Sequence, residues 1–560
     1  MDNTTADGFT EVDYSTPVSQ ERADKRDWLI LGGVALLLAT LLRVVRVGYR
    51  EYFTSEFITL DTVTEGSSQH WFAGYLEGSR SLYNLLISPW INGIGFLNEG
   101  VARVPSLILG IATCLAFFYF ARSYLRGIAL VICVLAYAMN PILVANSITV
   151  GPFALLALCA VLAHHFFIRS LDKEGVLNWT VYAAAMVVGI LTHPVMWFLV
   201  PAHLLFGLFR GNRLPRKFTY FAIAGLAAAV IFAVVATAYA ERAFPDNLHI
   251  SSPSLSDLAR GLVGAVMGDF VRYEEDANSF IRGVMYVFVL GAICLSVRYY
   301  RNRTAEALAM PENVIWIDET QDVIGTWKNL SLRSFLLINW FAFLVPVLGL
   351  FLLGGFVQGL SLSPSFFVII LPPLVVLIAM GLDAVPREAS VALGVLLVLT
   401  MAFYDFRALD DKGYGVYDGF ARIERKGFNP TTDLVLINVP KRIARSIEFY
   451  HRDIPTSSIS GFDTVEEYNL RQRELEEMVA DRDRIFIIYH DDYRNLGKTE
   501  MRSPVREWFH MNTDVFEPEG RTARLSKEDG TEMRIYKRIP PGGLPAEEQQ
   551  APPEAEEPTT

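Results

Sequence analysis

Cysteine is almost absent. The chain has four, Cys114, Cys133, Cys159 and Cys294, and each lies inside an apolar run. No disulfide staple and no Cys-rich metal framework follows from that placement, and such cysteines act as small apolar filler. Positive charge is in deficit too: 49 Lys and Arg stand against 60 Asp and Glu, a net charge of −11. Nucleic acid is therefore not an expected partner. The stretch from Asp405 to Ile539 has no glycine-rich phosphate loop, so no nucleotide site is expected there. Only 19% of the residues are charged, and the long stretches without any charge argue against a soluble globule.

Apolar sequence is what the chain has in excess. The hydrophobic fraction is 52% and the mean hydropathy is +0.30. Runs of roughly 17 or more uncharged residues match a bilayer core of roughly 30 Å, and about 11 of them are expected as spans. They lie near Trp28–Val47, Val104–Ala121, Ile128–Ala145, Pro152–Ile168, Trp179–Leu191, Met196–Phe209, Phe218–Ala240, Phe280–Val297, Phe335–Phe356, Phe366–Leu382 and Val391–Tyr404. Each must be a helix, because lipid offers no partner to an unpaired backbone group. The fifth and sixth meet at Thr192-His193-Pro194 as a tight hairpin. The spans are read as nearly free of ionisable residues, which disfavours a transporter. The pair His164-His165 falls near a span end and is expected to face the interface.

Arg and Lys in alternate short loops put the N-terminus on the cytoplasmic side of a cell membrane and everything after Asp405 outside. The run Trp28–Val47 is an uncleaved first span, because Arg43, Arg46 and Tyr49 do not make a small-residue cleavage site. Residues 1–26 form a polar, disordered cytoplasmic tail. Residues 27–404 form the transmembrane domain, with a long outer loop over 48–103. Residues 405–539 form an extracytoplasmic α/β domain, and the Pro/Glu-rich residues 540–560 are a second disordered tail. In the outer domain Asp433–Val439 and Arg484–His490 read as buried strands and are expected to be sheet neighbours. Residues 523–538 read as a hairpin turning at Asp529-Gly530. The expected fold class is a mainly α polytopic membrane protein with a C-terminal α/β domain.

The outer loop is too long to be a plain connection. Its middle, Leu82–Leu97, is apolar and aromatic but carries Pro89, Gly93 and Gly95, which reads as a helix lying at the membrane surface. The loop also gathers carboxylates, Glu56 and Asp61 among them, with Arg50, Arg80 and Arg103 as cations, and His193 sits at a second outer turn.

The order of these features resembles the C-type-fold membrane glycosyltransferases of the dolichyl-phosphate-mannose protein mannosyltransferase and aminoarabinose transferase superfamily. The residues that carry the resemblance are Thr54-Ser55-Glu56-Phe57, then Ser79-Arg80-Ser81-Leu82-Tyr83, then Arg103-Val104-Pro105-Ser106, then Thr192-His193-Pro194 and Leu371-Pro372-Pro373. The resemblance implies transfer of a sugar from a polyprenyl-phosphate carrier, at the outer membrane face, to a protein, lipid or glycan acceptor. It implies Glu56 as catalytic base with Asp61 in reserve, and Arg80, Tyr83, Arg103 and His193 around the donor phosphate. No protein metal site is expected; a divalent metal beside the phosphate is the one cofactor left open. The sequence departs from the family at Ser55, where the family has an aspartate, at Arg80-Ser81, where it has two prolines, and at 147–153, where a family arginine is missing. A serine is no general base at neutral pH. Two readings follow: an active transferase using Glu56 or Asp61, or a degenerate member that binds lipid or an assembly partner.

Overall fold

The computed structural model describes residues 17–48, 81–94, 99–172, 175–210, 287–299, 332–356, 364–407, 426–438, 456–458, 465–490, 511–519, 523–524 and 531–540, with isolated positions between them. The chain divides into two compact units, one of residues 1–47 and 62–410, the other of 48–61 and 411–560.

The first unit is helical. Its described helices are α1 (Pro17–Val44), α2 (Leu82–Ile94), α3 (Glu99–Tyr124), α4 (Gly127–Ala138), α5 (Pro141–Ser147), α6 (Phe153–Asp172), α7 (Val176–Thr192) and α8 (Leu199–Arg210). They continue with α9 (Val287–Tyr299), α10 (Leu332–Phe356), α11 (Leu371–Asp383) and α12 (Arg387–Arg407). Short 3-10 segments, Pro194–Phe198 and Pro364–Ile370, lead into α8 and α11. Five described helices are long and apolar enough to cross a membrane, or six if α4 and α5 form one bent span. The protein is thus a membrane protein with a mainly helical body. The expected seventh span, Phe218–Ala240, lies outside the described residues.

Three local differences from the sequence reading have simple causes. The run expected as one span, Ile128–Ala145, breaks into α4 and α5 at an angle of 41°. Pro141 cannot donate to the α4 ladder, so the chain restarts with Pro141 in the first turn and the Asn140 side chain accepting from Leu143 N at 3.2 Å. The first helix begins at Pro17, well before Trp28, because Gln, Glu, Arg, Ala and Lys in that stretch all favour helix. The third difference is burial of charge. Arg43 and Asp405 are 0% and 1% exposed, so the spans are not free of ionisable groups.

Helix α11 is the centre of the bundle, with every residue from Leu371 to Leu382 buried. Its prolines, Pro372 and Pro373, sit in the first turn, where a missing N–H leaves no bond unmade. Outward, Val395, Leu399 and Phe403 of α12 are exposed at four-residue spacing, as are Leu348 and Leu352 of α10. Such stripes are the faces a bundle turns to lipid.

The second unit contains a sheet of six described strands in the order β2-β1-β3-β6-β4, with β5 also on β6. The strands are β1 (Asp433–Asn438), β2 (Thr456–Ser458), β3 (Arg484–His490), β4 (Phe516–Pro518), β5 (Ala523–Arg524) and β6 (Thr531–Arg538). Strand β1 runs parallel to β2 and β3, while β6 is antiparallel to β3, β4 and β5. The two strands expected as neighbours pair in register from Asp433↔Arg484 to Asn438↔Tyr489. Helix α13 (Val465–Val479) packs Leu475 and Val479 onto a core of Leu434, Leu436, Ile485, Ile487, Phe509, Phe516 and Tyr536. Alternate residues Val435, Ile437, Phe486 and Ile488 are buried as well, so both faces of the central strands are covered. Asp433 accepts from Arg484 at 2.7 Å and from Asn429 N at 2.8 Å, which fixes the start of β1.

Candidate active site

The outer loop enters its described part at Ser81. Its hydroxyl donates to Asn84 Oδ1 at 3.1 Å and accepts from Asn84 N at 3.4 Å, capping α2. The cap turns Tyr83 inward, where it is fully buried and shares a 2.6 Å hydrogen bond with Ser106 of α3. Trp90 donates to the Val101 carbonyl at 2.9 Å. Two of the sequence segments singled out, one ending at Tyr83 and one running from Arg103 to Ser106, are therefore joined side by side. Arg103 is 1% exposed and donates to the Val47 carbonyl at 3.0 Å, joining α3 to the end of α1.

The same end of α1 holds two arginines that the sequence reading used only to dismiss a cleavage site. Arg43 donates through Nε to Ser147 at 3.1 Å and through Nη1 to the carbonyls of Ala39 and Ala138 at 2.9 and 3.0 Å. Ala138 ends α4, so the guanidinium satisfies a carbonyl that the helix break leaves without an intrahelical partner. Its Nη2 has no hydrogen-bond partner among the described residues. Arg46 pairs with Asp405 of α12 at 3.0 Å. The helices α3 and α5 come so close here that a methyl on Gly110 would meet the Ser147 hydroxyl. Three buried arginines thus gather around the end of α1. The signal in the sequence was Arg43-Val44-Val45-Arg46 inside an apolar run, since an ionisable residue at membrane depth marks function by default.

His193 ends α7 and caps the following 3-10 turn. Its Nδ1 accepts from Val195 N at 3.2 Å, so the ring proton sits on Nε2. Burial lowers its pKa from the ordinary value to about 4, which keeps the imidazole neutral at pH 7. The rings of Phe153 and Phe366 lie 5.1 and 5.3 Å from it.

Glu56 belongs to the second unit, is helical and is fully buried. It shares a helical face with buried Thr59 and Leu60, at offsets of three and four residues. Ser55, Asp61 and Arg80 lie outside the described residues. Among the described residues no three His, Cys, Asp or Glu side chains gather into a metal site.

His164 and His165 are buried rather than interfacial. Tyr182 OH lies 3.1 Å from His203 Nδ1, His203 Nε2 lies 3.5 Å from His164 Nδ1, and His164 Nε2 lies 3.1 Å from Asn339 Oδ1. These groups come from α7, α8, α6 and α10 and satisfy one another in the bundle core. Their positions in the sequence carry no period that would have joined them.

Residues 85–237 match the sequence model of the family described as dolichyl-phosphate-mannose-protein mannosyltransferase. The chain resembles the mannosyltransferase superfamily. The mannosyltransferase-like segment takes in Arg103, Ser106, Phe153 and His193. No curated protein matches the sequence. Among solved structures, the chain is similar to ArnT from Cupriavidus metallidurans in the apo state, with 12% identity over 91% of this chain and 98% of that one and a TM-score of 0.48. The same ArnT bound to undecaprenyl phosphate matches with 12% identity over 93% and 99% and a TM-score of 0.45. An Archaeoglobus fulgidus oligosaccharyltransferase, in complex with zinc and sulfate, matches with 14% identity over 82% and 67% and a TM-score of 0.43.

Proposed function

We propose that the protein is a membrane glycosyltransferase that takes a sugar from a polyprenyl-phosphate carrier and passes it to an acceptor at the outer face of the cell membrane. The observation that carries the reading is the mannosyltransferase match over residues 85–237, which embraces the helices presenting Arg103 and His193. The chemistry is consistent with it. Glycosyl transfer leaves a phosphate that departs with both electrons of the anomeric C–O bond, and fixed cations or neutral donors must meet that charge. Arg103, Arg80, Tyr83 and the His193 Nε2–H are the groups assigned to this task. The acceptor hydroxyl loses its proton to Glu56 as its oxygen bonds to the anomeric carbon, with Asp61 as the substitute base. A divalent metal would act, if at all, on the same phosphate.

The orientation belongs to the same proposal: the N-terminus in the cytoplasm, the second unit's sheet outside, and Glu56 on the outer side. Alternating Lys and Arg in the short loops support it. The acceptor is a protein, lipid or glycan.

Glu56→Gln keeps the shape of the side chain and removes the base. Sugar transfer from a labelled polyprenyl-phosphate donor, measured in proteoliposomes, is expected to fall about 10²–10⁴-fold. Unchanged turnover in Glu56→Gln with a loss in Asp61→Asn would move the base to Asp61. Ser55 gives a specific reason for a second reading, a non-catalytic lipid-binding or assembly protein. That reading predicts a wild type with no turnover and a Ser55→Asp variant that gains it.

A further inference from the structure

Two buried donors of the helical bundle point into one crevice. Arg43 of α1 is fully buried and Asn146 of α5 is 7% exposed. Arg43 Nη2 and Asn146 Nδ2 each lack a hydrogen-bond partner among the described residues. Both residues line the crevice where α1, α3, α5 and α6 meet. Its walls also include Ser147 and the small residues Gly110, Ala154 and Ala157.

Neither donor is free to turn away. Nε and Nη1 of Arg43 are held by Ser147 and by the carbonyls of Ala39 and Ala138, so the planar guanidinium has only Nη2 left to give. The Asn146 side-chain carbonyl accepts from the Ser365 hydroxyl at 3.2 Å, which leaves the NH2 end of the amide for the crevice. Among the described residues no carboxylate bonds to Arg43. Asp405 lies in its field but is paired with Arg46. The walls leave no room for a free water molecule, so solvent does not satisfy the two donors. Such a pair is a standing cost that a ligand bringing its own oxygens would remove.

We propose that Arg43 and Asn146 hold a phosphate group through two of its oxygens. The charge of Arg43 calls for an anion, and two separately directed N–H donors suit one with several oxygens. A neutral hydroxyl would leave the guanidinium charge unbalanced, and an isoprenoid chain offers no acceptor at all. Gly110, Ala154 and Ala157 carry little side chain, so α3 and α6 need part only slightly to admit a phosphate oxygen. The site is distinct from the donor phosphate assigned to Arg103, because Gly110 lies two turns farther along α3, about 10 Å away. The inference therefore stands apart from the transfer reading. A lipid headgroup and a free ion present the same chemistry to the two donors.

Asn146→Asp is the deciding variant. Its carboxylate keeps the acceptor for Ser365, removes the donor and sets a charge in the crevice that repels phosphate. Full-length protein in phosphatidylcholine nanodiscs is titrated separately with polyprenyl phosphate and with inorganic phosphate at matched ionic strength, and the thermal midpoint is followed. Wild type is expected to shift upward with at least one probe, and Asn146→Asp to need about tenfold or more of that probe for the same shift. A loss confined to polyprenyl phosphate assigns the site to a lipid headgroup, and a loss confined to inorganic phosphate assigns it to the free ion. Ala157→Val narrows the crevice, spares both donors and is expected to weaken the same probe. Each shift is read from the variant's own ligand-free midpoint, so a change in basal stability does not enter. Wild-type and Asn146→Asp curves that coincide for both probes overturn the proposal, even where polyprenyl phosphate shifts both proteins; that shift would then belong to the donor site of the transfer reading. A wild type shifted by neither probe overturns it as well.

Discussion

Asp405 shows how a single residue organises charge in this protein. It is 1% exposed, it is paired with Arg46 at 3.0 Å, and it also lies in the field of Arg43. Removing its charge leaves two guanidinium groups in a low-dielectric setting with a neutral neighbour. Asp405→Asn is therefore expected to destabilise the protein by about 3–5 kcal/mol, the usual cost of breaking a buried pair from one side. The thermal unfolding midpoint in detergent reads this out; a variant as stable as wild type would mean that the pair is not felt. Some of this residue chemistry was legible and some was not. Arg103, Tyr83 and His193 stood out because each sits in a short segment with a characteristic order. Arg43 and Arg46 were visible in the apolar run, but a local pattern does not say that a serine 104 positions away will accept from one of them. Phe153 and Phe366 looked like ordinary span residues, because their meeting depends on three turns converging.

At the scale of the element, helix contacts are set by where side chains are missing. A methyl on Gly381 of α11 would run into the carbonyl oxygen of Ala292 in α9. That obstacle is backbone, so no rotamer change relieves it, and the two helices would have to separate. Gly381→Ala is expected to cost about 1–3 kcal/mol, as overpacking does, again seen as a lower thermal midpoint. A midpoint equal to wild type would show that α9 and α11 can move apart freely. Elements were the most legible level of the sequence. An apolar run in lipid has only one backbone solution, so most of the described helices overlap the apolar runs. Strands β1 and β3 were legible because both faces are covered and their apolar residues run without interruption. Strand β2, Thr456–Ser458, was not, since three residues are too short to show a period.

For the molecule as a whole, the open quantity is its direction across the bilayer. From the Lys and Arg asymmetry we propose that the sheet-bearing unit lies outside the cell. A single cysteine at Gly530, in a background with the native cysteines removed, is expected to react with an impermeant thiol reagent on intact cells. Reaction only after lysis would invert the protein and place its chemistry on the cytoplasmic side. The native cysteines must go because Cys294 is exposed, whereas Cys114, Cys133 and Cys159 are buried.

The buried row from Tyr182 through His203 and His164 to Asn339 has one assignment in which every link is satisfied. Tyr182 donates to His203, His203 to His164, His164 to Asn339, and Asn339 to the Phe335 carbonyl at 2.8 Å. Electrically, that is a line of dipoles all pointing the same way. No single link can be reversed alone, because a ring that exchanges its proton between nitrogens faces donor to donor on one side and acceptor to acceptor on the other. Both imidazoles would have to swap tautomer and the Asn339 amide would have to turn over in the same event. His203 is stacked on Phe167 at 4.2 Å, which hinders any turning of its ring. Four side chains on four helices therefore hold one direction of the line, because the reversed direction would set the Asn339 amide oxygen against the Phe335 carbonyl.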